Sequence, residues 1–284
     1  MIVDRLQILF KSGNGGRGSA SLRKLSSVKL FPDGGDGGKG ADLILKVSPH
    51  LYDLSKLKGK KKIVAPSGKP GLKKSKDGQN TKDLFIDLPK GTRVLNENNK
   101  LIVDLSKDNQ QFVLCKGGLG GKGSARRPAT TDSQQGQAKL VILDYRIPVD
   151  IPIVGLANSK KTTLFNLFTG QNNKVAHYPF TTATCAFAHF SYNFKKITVL
   201  DTPPVRETKG DLEKNRFLRH LFRAKIVLIL GKKRDSAKVK KEISKFNSEF
   251  ISKKKVFYLP DNVGKIDINQ LKEKIYNYLR KIEH

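Results

Sequence analysis

Val149-Asp150-Ile151-Pro152-Ile153-Val154-Gly155-Leu156-Ala157-Asn158-Ser159-Lys160-Lys161-Thr162-Thr163-Leu164-Phe165-Asn166-Leu167-Phe168 decides how the rest of the chain is read. Ile151 to Val154 is an apolar run and reads as a buried strand. Gly155 and a short polar stretch follow. Leu164, Leu167 and Phe168 then recur at helical spacing. Strand, loop and helix in that order are the setting of a phosphate-binding P-loop, G-x-x-x-x-G-K-[ST]. Gly155 fills the first glycine, Lys161 the lysine and Thr162 the hydroxyl. The second glycine is missing, and Lys160 stands in its place.

That departure has a physical cost. Such a loop cradles phosphate with backbone N–H groups and a helix N-terminus, so its backbone must come close to the ligand. Glycine permits the approach and permits a positive φ. A lysine held left-handed there costs about 1–2 kcal/mol, partly offset by the attraction of its ammonium for phosphate. Two readings stay open: a loop that holds a nucleotide, and a loop that keeps only its shape.

Working outward, 284 residues suggest two domains. Fifty-five Lys and Arg stand against 25 Asp and Glu, a formal charge of +30. The first 150 residues hold 28 basic and 14 acidic residues and the remainder 27 and 11, so the excess is no detachable tail. A chain of this charge is drawn to polyanions, RNA or DNA first. Lysine outnumbers arginine 42 to 13, which suits generic phosphate attraction better than bidentate base reading. Drift toward lysine in an A/T-rich genome is the competing account. Cys115 and Cys185 lie far apart with no CxxC spacing, against a disulfide frame or zinc site and for a reducing compartment. Met1 to Phe10 reads as a strand and not a signal peptide. Apolar runs such as Ile226 to Leu230 are too short to span a bilayer.

Twenty of the 25 glycines precede residue 150. They crowd into 13–18, 33–40 and 116–123, a density no helix tolerates. Strand candidates separate these runs: Leu43–Val47, Leu84–Leu88, Leu101–Leu105, Phe112–Cys115 and Leu140–Leu143. Glycine runs anchored by strands suggest extended left-handed segments packed on one another, glycine inward, with a positively charged tip. The basic stretch from Lys56 to Lys74 reads as a solvated, flexible excursion. Pro89-Lys90-Gly91-Thr92 reads as a turn, and Arg126 to Gln137 as a polar connector. The composition changes near residue 148, which gives a glycine-rich domain at 1–148 and a P-loop domain at 149–284.

These glycine runs, the turn and the P-loop that follows resemble the Obg GTPases over nearly the whole chain. Ala176-His177-Tyr178-Pro179-Phe180-Thr181-Thr182 is similar to the family's switch I signature, A-D-Y-P-F-T-T. Phe217-Leu218-Arg219-His220-Leu221-Phe222-Arg223 is similar to F-L-R-H-I-E-R, and Leu200-Asp201-Thr202-Pro203-Pro204 stands where D-x-P-G is expected. The resemblance implies a glycine-rich domain with a β-barrel base and polyproline-II-like segments. It implies an α/β Ras-like G domain after it, without the further C-terminal domain that Obg proteins often carry. It also implies GTP or GDP as ligand with Mg²⁺, and a monomer that works in assembly of the large ribosomal subunit and touches its rRNA. The compartment would be bacterial cytoplasm or an organellar matrix or stroma.

On that resemblance the nucleotide is contacted by Gly155, Asn158, Ser159, Lys160, Lys161, Thr162, Thr163, Phe180, Thr181, Thr182, Asp201 and Pro204. Lys161 would hold the β- and γ-phosphates, Thr162 and Thr182 would ligate Mg²⁺, and Asp201 would reach the ion through water. Three departures weigh against a working switch. One is Lys160. Another is Pro204, which has no N–H to give where the family's glycine contacts the γ-phosphate. The third is the guanine-reading N-K-x-D, due near residue 260, where the chain has Val256-Phe257-Tyr258-Leu259-Pro260-Asp261-Asn262-Val263. Either Pro260 to Val263 replace the motif, or this strand is the last one and the N-K-x-D strand is gone. Without that hydrogen bond to the base, discrimination falls by about 10²-fold or more. His177 and His220 read as structural. Two functions remain: a slow GTPase, and a non-hydrolysing scaffold of the same fold that binds ribosomal RNA.

Overall fold

A computed structural model describes residues 3–24, 29–125, 132–170, 176–180, 183–208, 212–246, 248 and 250–282. Two compact units result, Val3–Tyr145 and Arg146–His284.

Among the described residues the first unit contains ten strands: β1 (Arg5–Lys11), β2 (Leu22–Lys24), β3 (Leu30–Pro32), β4 (Leu43–Ser48), β5 (Lys62–Val64), β6 (Leu84–Pro89), β7 (Thr92–Leu95), β8 (Leu101–Leu105), β9 (Gln111–Cys115) and β10 (Ala138–Tyr145). Eight of them form the base as two sheets, ordered β5-β1-β10-β7-β8 and β6-β4-β9. Alternation of apolar and polar residues aims Ile8, Phe10, Leu43, Leu45, Val47, Leu88, Val94, Leu105, Leu114 and Leu143 inward, all fully buried. The turn at 89–92 is closed by Thr92 Oγ1 donating to the Pro89 carbonyl at 2.7 Å. Gly91 adopts φ +101° there.

Six arms leave this base, each the direct continuation of a strand. Residues 13–18 extend β1, 34–40 lead into β4, 66–71 extend β5, 76–79 lead into β6, 117–123 extend β9 and 134–136 lead into β10. They hydrogen-bond to one another and not to themselves. Gly13 N–H donates to Ala41 O, Gly16 to Gly38, Gly38 to Lys69, Gly37 to Gly121, Gly121 back to Gly16, and Gly15 to Gln134, all at 2.8–3.0 Å. Glycines fall three apart along the arms (34, 37, 40; 117, 120, 123; 68, 71), the repeat of a polyproline-II helix. At each a Cβ would collide with backbone of the next arm. Packing of the three glycine runs is therefore as the sequence suggested. The stretch from Lys56 to Lys74 is not a free excursion, because Gly68 and Gly71 donate to the Asn14 and Arg17 carbonyls within the bundle. Nor is all of 126–137 a plain connector, since Gln134 exchanges bonds with Gly15 and Leu119. At 66–74 and 132–137 most side chains are exposed while the backbone packs in, which is why these parts are basic or polar.

Two carboxylates, buried Asp36 and half-buried Asp42, hold the arms in register. Asp36 accepts from Gly123 N–H at 2.8 Å and from Lys122 Nζ at 2.9 Å. Asp42 accepts from Gly117 N–H and Lys39 Nζ. Burial pushes its carboxyl up, but those bonds prevail and leave it below the ordinary value. Arg17, Lys73, Lys74 and Lys76 are exposed along the outer parts of the arms.

In the second unit β11 (Ile151–Gly155) is followed by α1 (Lys161–Thr169), β12 (Ala176–Phe180), β13 (Ala183–Tyr192), β14 (Lys195–Asp201), β15 (Ile226–Leu230), α2 (Lys233–Phe246), β16 (Lys255–Leu259) and α3 (Ile268–Lys281). The sheet runs β12-β13-β14-β11-β15-β16, with β14, β11, β15 and β16 parallel. The central strands β11 and β15 are buried on both faces. Ile153, Leu228 and Leu230 meet α1 and α3 through Leu164, Phe165, Phe168, Leu271, Ile275 and Leu279. Val154, Val227 and Ile229 meet α2 and the 3-10 segment Leu212–Arg223 through Val239, Ile243, Leu218 and Leu221. His220 is buried in that segment and accepts the Ile147 N–H at 3.3 Å, a structural role. Cys115 and Cys185 are free and buried. Among the described residues no helix is long and apolar enough to cross a membrane.

Candidate functional site

The carboxyl ends of β11 and β14 and the start of α1 bring the predicted loop residues together. Gly155 lies beside Leu230 in the β11–β15 register, and a Cβ on it would strike Ser159 Oγ and crowd the Leu230 carbonyl. Ser159 is buried and donates to the Leu156 carbonyl at 2.9 Å. Asn158 and Lys160 both have positive φ, 61° and 56°. Lys160 caps α1 in the left-handed conformation with no side-chain cap of its own. The missing glycine has thus changed the residue and not the backbone, and the strain falls on a lysine. Thr163 sits exposed in the first turn of α1.

Lys161 is buried and turned back into the loop, where Nζ donates to the Leu156 carbonyl at 2.8 Å. Burial pushes its ammonium below the ordinary value, against the pull of Asp201. Thr162 Oγ1 donates to Asp201 Oδ2 at 2.6 Å. The other oxygen, Asp201 Oδ1, is buried with no hydrogen-bond partner among the described residues. Burial pushes the Asp201 carboxyl up, with the Thr162 hydroxyl and Lys161 opposing it. A hydroxyl and an unsatisfied carboxylate oxygen, side by side, are the hard donors a small divalent cation prefers. The pair fits a small divalent cation such as Mg²⁺, which Thr162 and Asp201 would hold.

The strand end beyond Asp201 behaves differently. Thr202 N–H and Oγ1 both donate to the Ile153 carbonyl, and Val205 N–H donates to the Gly155 carbonyl at 3.0 Å. Pro203 and Pro204 have no N–H. From 202 to 205, then, every backbone donor is either absent or committed to β11. The segment is pinned again further on. Asn215 is fully buried and clamps Arg206 with bonds at 3.0 and 2.7 Å. Thr208 Oγ1 donates to Glu242 Oε2, and Lys245 donates to the Thr208 carbonyl, both at 2.6 Å. These clamps escape a sequence reading. Asn215 stands between Lys214 and Arg216 and Glu242 follows Lys240 and Lys241, so nothing in the sequence marks either as a clamp.

Phe180 ends β12, which pairs antiparallel with β13 as the sheet edge. Thr181 and Thr182 lie outside the described residues. At the far end β15 is followed by β16 alone, which passes through Pro260 to Val263 into α3 on the face of α1. Among the described residues there is no further strand to carry N-K-x-D.

The electrostatics give one prediction here. A buried carboxyl whose folded value is raised stabilises only at low pH, and its contribution is lost as pH rises through that value. At neutral pH Asp201 is a net cost. Asp201→Asn keeps an acceptor for Thr162 and is expected to raise the stability of the ligand-free protein by up to about 1 kcal/mol. The gain should shrink as pH falls, and the variant should lose any Mg²⁺-induced rise in melting temperature. Melting curves across pH, with and without Mg²⁺ and GDP, test this.

Comparison with known proteins follows this division. A family model described as GTP1/OBG matches residues 3–141, and one described as 50S ribosome-binding GTPase matches residues 150–261. GTPase Obg of Karelsulcia muelleri (strain GWSS) is 32% identical over 301 residues, covering 99% of this chain and 91% of that protein. GTPase Obg of Thermoanaerobacter sp. (strain X514) is 35% identical over 240 residues, but these are 80% of this chain and only 57% of that protein. Among solved structures, the G domain of the T. maritima FeoB iron transporter covers 46% of this chain and 98% of its own, at 21% identity and TM-score 0.34.

Proposed function

Since the chain belongs to the Obg family of GTPases, we propose that it serves assembly of the large ribosomal subunit as a scaffold that binds ribosomal RNA. On this reading its P-loop holds guanine nucleotide with Mg²⁺ but does not read the terminal phosphate. The carrying observation is the stretch 202–205, which keeps no backbone N–H for a γ-phosphate. The arms would dock on rRNA through exposed Arg17, Lys73, Lys74 and Lys76, by shape and backbone charge and with a steep salt dependence. The compartment is one that holds ribosomes, bacterial cytoplasm or an organelle, and the working form is a monomer.

Thr162 and Asp201 would hold Mg²⁺, which would supply charge neutralisation at the phosphates. The chain's own part is then limited. Lys161 must leave the Leu156 carbonyl to meet a phosphate, and Lys160 adds a second ammonium at the loop. Nothing from 202 to 205 changes partner between the di- and triphosphate states. A slow GTPase is the second reading, favoured by the intact Thr162–Asp201 pair.

Equilibrium binding of GDP and of a non-hydrolysable GTP analogue, each with Mg²⁺, decides between them. Equal affinities, and salt-sensitive association with large subunits that persists without nucleotide, are expected. Much tighter and guanine-selective binding of the triphosphate would sink the scaffold reading.

A further inference from the structure

Away from the P-loop, β16 and the last two turns of α3 frame a recess of about 330 Å³. Lys255, Lys274 and Lys281, the rings of Phe257 and Tyr278, and the Asn277 amide line it. No carboxylate is among them. Lys255 Nζ stands 5.7 Å from the Phe257 ring centroid and 6.0 Å from that of Tyr278. The recess therefore has an aromatic floor and a cationic mouth. It opens beside β16, the edge strand of the sheet among the described residues.

Cations set over ring faces match one chemistry well. An unpaired nucleotide brings a π-face to stack and a phosphate to neutralise. Duplex nucleic acid keeps its bases stacked and would leave the rings idle. An acidic peptide would meet the ammoniums alone. We propose that this recess binds a single-stranded segment of RNA, its phosphates held by Lys255, Lys274 and Lys281 and one base stacked on Phe257 or Tyr278. The class of partner rests on the ribosomal reading above. The place does not, because it lies in the other unit from the arms.

The test uses the full chain and a short single-stranded oligouridylate carrying a photoreactive base, with affinity measured across a salt series. Lys255→Glu, Lys274→Glu and Lys281→Glu are all at exposed positions, while α3 is held by Leu271, Ile275 and Leu279 on its other side. Combined, they are expected to flatten the log–log salt slope by about 2, the share of three phosphate contacts on a single strand. Tyr278→Leu, which keeps an apolar side chain over the core, should weaken binding about tenfold and leave the slope unchanged. Cross-links should fall in β16 or α3. Unchanged affinity and slope in both variants would overturn the inference. So would a slope lost in the lysine variant with no effect of Tyr278→Leu and full competition by an acidic peptide, which would assign the recess to a protein. Charge reversal at Lys73, Lys74 and Lys76 separates the two proposals. If that variant alone loses RNA, docking through the arms stands and the recess is not a site.

Discussion

Gly120→Ala is expected to prevent the arms from closing and to cost at least about 4 kcal/mol, beyond the range of ordinary substitutions. A Cβ at Gly120 would sit deep inside contact distance of the Gly37 carbonyl oxygen and close to that of Gly38. Those are backbone atoms of a neighbouring arm, so no side chain can rotate away. Gly37 itself donates to the Gly121 carbonyl at 2.8 Å, and a shift of either arm breaks that bond. Gly59→Ala is the control. It lies at φ +80° with open space around its Cβ position, so only backbone strain of about 1 kcal/mol is added. Limited proteolysis of the full chain reads the difference. Cuts within the arms are expected in Gly120→Ala and not in Gly59→Ala, with 151–170 protected in both. A Gly120→Ala protein as resistant as the parent would show that the arms are not packed as described.

The second large effect is expected from Lys160→Gly combined with Pro204→Gly, which should tighten binding of a triphosphate about 10²-fold. The two parts are separable. Lys160→Gly removes left-handed strain of about 1–2 kcal/mol from a residue that must stay at φ 56° to open α1. Because that strain is present without ligand, the change should raise the stability of the free protein by about that amount, and should alter affinity for GDP and for the GTP analogue alike only through the closer approach glycine allows and the ammonium given up. Pro204→Gly restores one N–H to a stretch that has none free. A hydrogen bond to a charged group contributes about 1.5–3 kcal/mol, and here only the terminal phosphate can receive it. That change should therefore act on the triphosphate alone. Titration of both nucleotides against the two single variants and the pair checks the scheme. Equal effects of Pro204→Gly on both ligands would refute the role given to this position.

Much of this was legible because it is local. Apolar runs placed β8 at the residues observed, and β4, β6, β9 and β11 within one residue. Gly155, Lys161 and Thr162 were picked out by residue type and order and Asp201 by resemblance, and the strand–loop–helix brings all four together. The arms at 66–71, 76–79 and 134–136 were missed for a definite reason. Glycine density singled out the crowded runs, whereas the packing rule is a glycine at every third place, which Gly68 and Gly71 obey inside a basic stretch. The clamps on 202–208 were out of reach in a different way. Asn215 and Glu242 act on partners fixed by tertiary structure, and nothing in their immediate neighbours marks them. The resemblance to switch I marked no strand at 176–182, yet Ala176 to Phe180 form β12, which completes the edge beside β13.

The arms also set the order in which this protein can be made. None has internal hydrogen bonds, and Gly15, among the earliest residues, waits for Gln134 to accept its N–H. Little of the bundle can persist while the chain is half synthesised. Closure is a late, largely concerted step with widely separated partners, of the kind that folds slowly. The glycine segments therefore stay unzipped until Gln134 has been made, and the bundle can close only once the last of its widely separated partners is in the chain.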